Sequence, residues 1–206
     1  MTMPAARRTR DIRLSITHRI GDSLTVTSPS QTAGGAPVTR TVPVYHSSPW
    51  ADPDSMGDPS GTQEAAWIGT TWLQDGAGYF GFSILQVDVY TRQLAETDAD
   101  QDAIGLFNAE VADAVCELFA GCEASGHLRA YVDILDFSDP VNPVPPPDGE
   151  GGHVICQTPN GRPGVPTERR SLGRRGGLWR TSVRFAFRGM VDAGFRRGNA
   201  YYTPRG

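Results

Sequence analysis

Apolar positions along the chain gather into a few periodic stretches separated by long aperiodic ones. Ile12, Ile16, Ile20 and Leu24 recur every fourth position, with Asp11 early and Gly21 near the end, and this spacing predicts a short amphipathic helix. The alternation of Ile12, Leu14 and Ile16 also suits a strand; we assign helix. Residues 27–41 read as a loop. Val42 to Tyr45 reads as a short strand that Pro43 places at a sheet edge, because proline cannot donate to a ladder. Residues 46–64 read as a second Pro/Gly/Asp loop. Ala65 to Leu73 is a predicted strand with Trp67, Thr71 and Leu73 on one face. After the turn residues Asp75 to Gly78, Phe80 to Tyr90 forms a longer strand in which Leu85, Val87 and Val89 alternate with Gln86 and Asp88. The two are expected to pair as a hairpin.

A long helix follows at 100–120, with Thr97, Asp98 and Asp100 as candidate caps. Ile104, Phe107, Val111, Ala114, Val115 and Leu118 form its apolar face, and Gly121 suits the position just past its end. Leu128 to Phe137 is expected as a strand with Leu128, Ala130, Val132 and Ile134 facing inward. Residues 138–177 hold eight of the sixteen prolines and no period, which predicts a long functional or disordered loop. Order returns at Trp179, Thr181, Val183, Phe185 and Phe187, which alternate with Arg180, Ser182, Arg184 and Arg188. That strand is strongly two-faced, and its apolar side needs a cover.

These elements predict an α/β (α+β) class: a mixed, mostly antiparallel sheet of about four to five strands with helices on one face. The 206 residues are read as a single domain, with extended loops or arms at 27–64 and 138–177 and a polar tail at 194–206. A chain of this length buries roughly 70% of its unfolded surface, enough for a core despite 24 glycines and 16 prolines.

Composition removes several functions. All 19 basic residues are arginine, so a Walker phosphate loop, a lysine Schiff base and a Ser-Lys dyad are excluded. No apolar run reaches membrane-spanning length, and Met1 to Arg19 is Arg-rich without the apolar stretch of a secretory signal. Cys116, Cys122 and Cys156 form neither a CxxC pair nor an even framework, which suggests reduced thiols in a cytoplasmic setting. His18, His46, His127 and His153 have no zinc-like spacing, and no metal site or cofactor is expected. Asp98, Asp100 and Asp102 lack the glycine and closing glutamate of an EF-hand, and helix capping explains them. Gly173 to Gly177 precedes a strand rather than a helix, the wrong order for a phosphate loop.

Gly21-Asp22-Ser23-Leu24 matches the signature of the GDSL hydrolases, where the serine follows a buried strand and a late DxxH activates it. No DxxH occurs here. Glu150 and His153 have the spacing but lie in a Pro/Gly stretch. We expect no catalytic residues and no enzyme.

Charge is the more informative signal. Residues 1–51 carry six arginines against Asp11 and Asp22, a net +4. Residues 52–150 carry 19 acids against Arg92 and Arg129, a net −17; residues 151–206 carry 11 arginines against Glu168 and Asp192, a net +9. Folded onto different faces, such blocks make the subunit a dipole suited to head-to-tail association of copies. The alternative is pairing within the chain on solvated faces. Nucleic-acid binding through Arg169 to Arg197 is a third reading, against which stand sparse aromatics and an acidic chain.

The order of elements and several strings resemble the bacteriophage tail terminator (tail completion) proteins. They are an N-terminal helix, "VPVYHSSPW" at 42–50, "WIGTTWL" at 67–73, "GFSILQVDVYT" at 81–91, the long helix, and the closing "GLWRTSVRFAFRG" at 177–189. The Pro-rich stretch at 138–177 and the Arg-rich tail are enlarged relative to that family. The resemblance implies a virion protein at the tail–neck junction, assembled in the host cytoplasm. It forms a homo-oligomeric, hexameric ring that stops growth of the tail tube and meets a head-side connector or stopper. DNA passes through the lumen without sequence-specific binding, and no membrane is involved. Arg169, Arg170, Arg174 and Arg175, with Arg180 and Arg184, are the candidate residues for pairing with acidic surface on a neighbour, since Arg forks bind carboxylates well. Another neck component, such as a head completion or adaptor protein, is the nearest alternative, and a more helical fold would favour it.

Overall fold

The computed structural model describes residues 5–28, 38–46, 66–74, 82–92, 101–145, 152–175 and 178–188. The chain runs α1 (Ala5–Ser23), β1 (Thr25–Ser28), β2 (Val38–Thr41), β3 (Val44–His46), β4 (Ala66–Gln74), β5 (Phe82–Arg92), α2 (Gln101–Glu117), β6 (Tyr131–Asp133), β7 (His153–Cys156), β8 (Glu168–Arg175) and β9 (Leu178–Arg188). This is an α+β fold. Seven strands make one curled sheet ordered β3-β4-β5-β9-β7-β6, with β8 also paired to β9; β1 and β2 form a separate antiparallel ribbon. Among the described residues, β3 against β4 is the one parallel pairing in the main sheet.

The sheet is built on the two strands with the clearest alternation. β5 and β9 pair over their full lengths, with Leu85 opposite Phe185, Val87 opposite Val183 and Val89 opposite Thr181. The hairpin β4–β5 forms as its pattern predicts and puts Ile68 opposite Val89 and Thr70 opposite Val87. One face is therefore a continuous apolar surface of β-branched and aromatic side chains. Helix α2 covers it with Ile104, Phe107, Val111 and Val115, and Phe119 in the turn just after the helix adds to them, all buried. Phe119 lies 4.8 Å from the Phe185 ring and 5.5 Å from Phe187. Each such side chain contributes about 1.5–3 kcal/mol through burial.

Several polar groups inside this layer are paired, while Trp179 Nε1 has no hydrogen-bond partner among the described residues. Asn108, fully enclosed on α2, donates from Nδ2 to the carbonyls of Val89 and Trp179, each at 3.2 Å. Its Oδ1 accepts from Thr181 Oγ1 at 2.6 Å. The Thr91 hydroxyl donates to the Ile104 carbonyl at 3.3 Å. These bonds fix the helix along the strands, where apolar contact alone would let it slide.

Helix α1 follows the four-residue repeat: Ile12, Ile16 and Ile20 are wholly buried. It touches both β3 and β6, at opposite ends of the sheet order, and so spans the curl. Arg10 Nη2 donates to Phe137 O at 3.1 Å, and Ser15 Oγ accepts from Leu135 N at 2.9 Å. Arg19 donates to Tyr131 O at 2.9 Å and Leu118 O at 3.2 Å, with Glu123 at 3.6 Å. Burial pulls the Arg19 guanidinium below its ordinary pKa, against the pull of Glu123.

Several expectations need correction. Among the described residues the sheet has seven strands, not about four to five. The stretch 138–177 was expected to be aperiodic, yet it contains β7 and β8. β7 is too short to show a period, and β8 (Glu-Arg-Arg-Ser-Leu-Gly-Arg-Arg) has no apolar alternation because its side chains lie largely in solvent. The stretch 27–64 likewise contains the end of β1, β2 and β3. The strand expected over Leu128 to Phe137 shrinks to β6, although Ala130, Val132 and Ile134 are buried; Leu128 is exposed. Leu73 is exposed: like Trp67 and Thr71 it alternates onto the face away from α2, and it lies at the register shift between Trp72 and Gln74. Pro43 does precede an edge strand, and Gly121 adopts a φ of 73° after α2. The candidate caps Thr97, Asp98 and Asp100, most of the 46–64 loop and the 194–206 tail lie outside the described residues.

The segment between β7 and β8 is seated on the end of α2 at one point. Gly164 has φ +68°, its amide donates to Cys156 O at 2.8 Å, and a Cβ there would run into the Phe119 carbonyl, with Ala120 Cα at 3.0 Å. Gly161 has φ +80° with open space around it. Gly161→Ala is therefore expected to cost about 1–2 kcal/mol from the left-handed backbone alone. Gly164→Ala should cost clearly more, because backbone has to move. Urea midpoints of the two variants check this; equal losses would show that the Phe119 contact yields freely.

Candidate interaction surface

Opposite the helix layer, the alternate residues of β4, β5, β9 and β8 form a polar and aromatic face. Register brings Arg180 opposite Tyr90, Ser182 opposite Asp88, Arg184 opposite Gln86, and Glu168 opposite Arg184. A connected chain of charged groups crosses three strands. Arg180 donates from Nε to Asp88 Oδ1 at 3.3 Å and from Nη2 to Oδ2 at 3.0 Å. Gln86 Nε2 donates to the same Asp88 Oδ2 at 3.0 Å, and Gln86 Oε1 accepts from Arg184 Nε at 3.0 Å. Arg184 Nη1 reaches Glu168 Oε2 at 2.5 Å, and Arg170 Nε reaches Glu168 Oε1 at 2.6 Å. Three guanidinium groups share two carboxylates, which leaves the network net positive.

Aromatic rings continue the row. Trp67 stacks on Tyr90 with centroids 5.4 Å apart and planes 12° from parallel. Arg92 lies over Trp67 at 5.3 Å and Arg180 over Tyr90 at 5.6 Å, a cation at each end of the ring pair. Burial, with the Asp88 carboxylate adding to it, pushes the Tyr90 hydroxyl up to about 12; Arg180 opposes.

The six candidate arginines divide accordingly. Arg180 and Arg184 are held in the network. Arg170 pairs with Glu168 but remains 71% exposed at its side chain. Arg169 has the opposite register and turns toward α2, forming an ion pair with Asp113 and donating to the Ala109 carbonyl at 3.3 Å. Arg174 is exposed near the β8–β9 hairpin; Arg175 ends β8, and its side chain lies outside the described residues. Four of the six thus pair within the chain, which is the alternative that the charge pattern left open.

The partners in this network were not singled out from sequence. Gln86 and Asp88 were visible as the outward positions of β5, but their meeting with Arg180 and Arg184 depends on the β5–β9 register. Glu168 was hidden because β8 itself was. A second exposed feature was also missed: the loop 134–145 carries Val141 and Val144, 81% and 54% exposed.

Ser23 of the GDSL-like string is the last residue of α1, so it follows a helix and not the strand that such a nucleophile requires. His153 opens β7, with Nδ1 4.0 Å from Asp133 Oδ1 and its ring against Tyr131. Among the described residues no group of three or more His, Cys, Asp or Glu could hold a metal ion, and no helix is long and apolar enough to cross a membrane. All three cysteines are free; burial pushes the thiols of Cys116 and Cys156 up, away from the reactive thiolate.

Two tests separate the structural from the exposed part of this surface. Asp88 is 5% exposed at its side chain, so Arg180→Met leaves a buried carboxylate uncompensated and is expected to cost about 3–5 kcal/mol. Arg170→Met should cost under about 1 kcal/mol, as for exposed pairs. Urea denaturation of both variants reads the difference. Tyr90 keeps its proton to a higher pH folded than unfolded. Its contribution to stability is whole below pH 10 and drains away as pH rises toward 12. Tyr90→Phe should flatten that part of the alkaline decline; an unaltered pH profile would count against the buried phenol. No family model, no curated protein and no solved structure matches the chain.

Proposed function

We propose that this chain is a structural virion protein of the tail terminator type, acting by assembly and not by catalysis. Copies close into a homo-oligomeric, hexameric ring that ends a phage tail tube and joins it to the head-side connector, with DNA passing through the lumen. The observation that carries this reading is the pairing of two strings on which the resemblance rests. The strand within "GFSILQVDVYT" and the strand within "GLWRTSVRFAFRG" are β5 and β9, adjacent and in register for eleven residues at the centre of the sheet. The order of helix, edge strand, hairpin, long helix and closing central strand is the one the resemblance implies.

Two further observations support assembly over the alternatives. The fold has two helices against nine strands among the described residues, unlike the helix-rich body that would favour an adaptor. Apolar side chains stand exposed on projecting segments: Val141 and Val144 before β7, and Leu172 on β8. Isolated exposed apolar residues are ordinary, but here they sit beside opposite charges on separate elements. For the esterase alternative, the position of Ser23 at a helix end supplies none of the geometry needed.

The purified full chain is expected to give the mass of a closed ring in solution and annular particles in negative-stain images. Added to polymerising tail tubes, it should halt their growth and appear at one end. A lone subunit at every concentration, with tube length unaffected, would overturn the proposal. Hydrolysis of a short-chain ester that is lost in Ser23→Ala would replace it with the esterase reading.

A further inference from the structure

The ring reading leaves open which surfaces meet, and the geometry selects a pair. The first surface is the loop 134–145. Its base is rigid: Leu135 N is bonded to Ser15 of α1, Phe137 O accepts from Arg10, and Asp136 and Val144 exchange backbone bonds at 2.8 and 3.3 Å. Its tip is shaped by Asp139, which accepts from Val141 N at 2.9 Å and Asn142 Nδ2 at 3.2 Å; these bonds hold the Asp139 carboxyl below its ordinary pKa. Pro140, Pro143 and Pro145 fix φ along it. The result is a preordered arm that presents Val141 and Val144 to solvent. Asp139 stands on the arm and Asp133, 88% exposed, at its root. Preorder matters because docking then costs little ordering entropy.

The second surface is β8. Among the described residues it pairs only with β9, and none of them lies in a ladder along its outer edge. Leu172, 50% exposed, lies at the register shift, which puts Arg170, paired with Glu168, on the Ser182 side of this edge and Arg174 on the Trp179 side. Arginines and the register shift between Ser171 and Gly173 guard this edge against copies of itself, since like charges repel and a shifted strand pairs poorly. The edge therefore suits an acidic, apolar-tipped partner.

We infer that the arm 134–145 of one copy docks on the β8 edge of the next, Val141 and Val144 covering Leu172 while Asp133 and Asp139 face Arg170 and Arg174. The occupant is a second copy of this chain, and charge complementarity is the argument for it. Within one chain the two surfaces do not meet. Val141 and Leu172 both remain exposed, and the arm leaves β6 whereas β8 borders β9 along Leu178–Arg184, beyond the two residues taken by β7. Two different patches on one subunit make a heterologous contact, the kind that propagates around a closed ring.

The inference rests on the ring reading, and a charge-swap experiment separates the two. One full-length variant carries Asp133→Arg and Asp139→Arg, making its arm basic; the other carries Arg170→Glu and Arg174→Glu, making its β8 acidic. All four positions are solvent-exposed, and thermal melts within a few degrees of the parent establish that both variants fold. Each alone is expected to require an assembly concentration at least about tenfold higher, read by sedimentation. An equimolar mixture restores assembly, because basic arm then meets acidic β8 and acidic arm meets basic β8 in alternation. Should the parent assemble while both variants assemble as readily, or while their mixture stays monomeric, the arm-to-β8 contact is wrong and the ring stands. If the parent chain never assembles, the ring reading falls and this contact with it.

Discussion

A strand can turn only one row of side chains toward a helix, and in β9 that restriction falls on a strand bordered along both edges. Its odd-numbered residues, from Thr181 to Phe187, face α2, so Arg180, Ser182, Arg184 and Arg188 emerge on the other side. No other rotation of the strand is open, because a slip of one residue would place three arginines against Phe107, Val111 and Phe119. Everything else on the polar face is a response to those guanidinium groups. β5 supplies Asp88 and Gln86 at the facing positions, β8 supplies Glu168, and the Tyr90 ring lies under Arg180 beside its carboxylate partner.

Curl is the second consequence. A twisted sheet whose apolar face is packed by one helix leaves its outer strands without cover. Helix α1 fills that gap by bonding to backbone carbonyls and amides near β6 while its isoleucines enter the common core and Gly21 packs near Val44 of β3. Arg19 is the most exacting part of the arrangement. Its charge is partly withdrawn from water and repaid by two carbonyls and Glu123, so the helix has one favoured setting relative to β6.

How much of this was legible in the sequence depends on where each segment spends its side chains. Segments that bury a periodic face announced themselves: Ile12, Ile16 and Ile20 in α1, Phe107 and Val111 in α2, and the alternations of β5 and β9. Segments held by backbone pairing did not. β8 is recruited through its ladder to β9, and since Leu172 points to solvent the hydrophobic pattern was silent there. The surface was legible only as composition. Blocks of −17 and +9 called for pairing without stating which pairs, and a register, which no residue type encodes alone, was needed to place Asp88 beside Arg180. Leu73 shows the same limit at one position: alternation put it on one face with Trp67 and Thr71, but not that Leu73 is exposed on that face while the other two are buried.

The fate of the basic block then bears on assembly itself. Arg169, Arg180 and Arg184 are engaged at home by Asp113, Asp88 and Glu168, and a guanidinium already bound to a carboxylate gains little from another across an interface. On β8 this leaves Arg174, exposed, and Arg170, still largely exposed although Glu168 also holds it, on either side of an exposed leucine along the strand. That is a narrower and more discriminating surface than the bulk charge suggested. Long-range attraction between the blocks brings copies together over about a Debye length, roughly 8–10 Å at physiological salt. Selection among orientations has to come from contact, where valines on a stiff arm meet an apolar residue at a strand edge with one arginine on each face of the sheet. Internal pairing is thus what converts a strongly segregated chain, prone to indiscriminate aggregation, into one with few sites left at which a second copy is welcome.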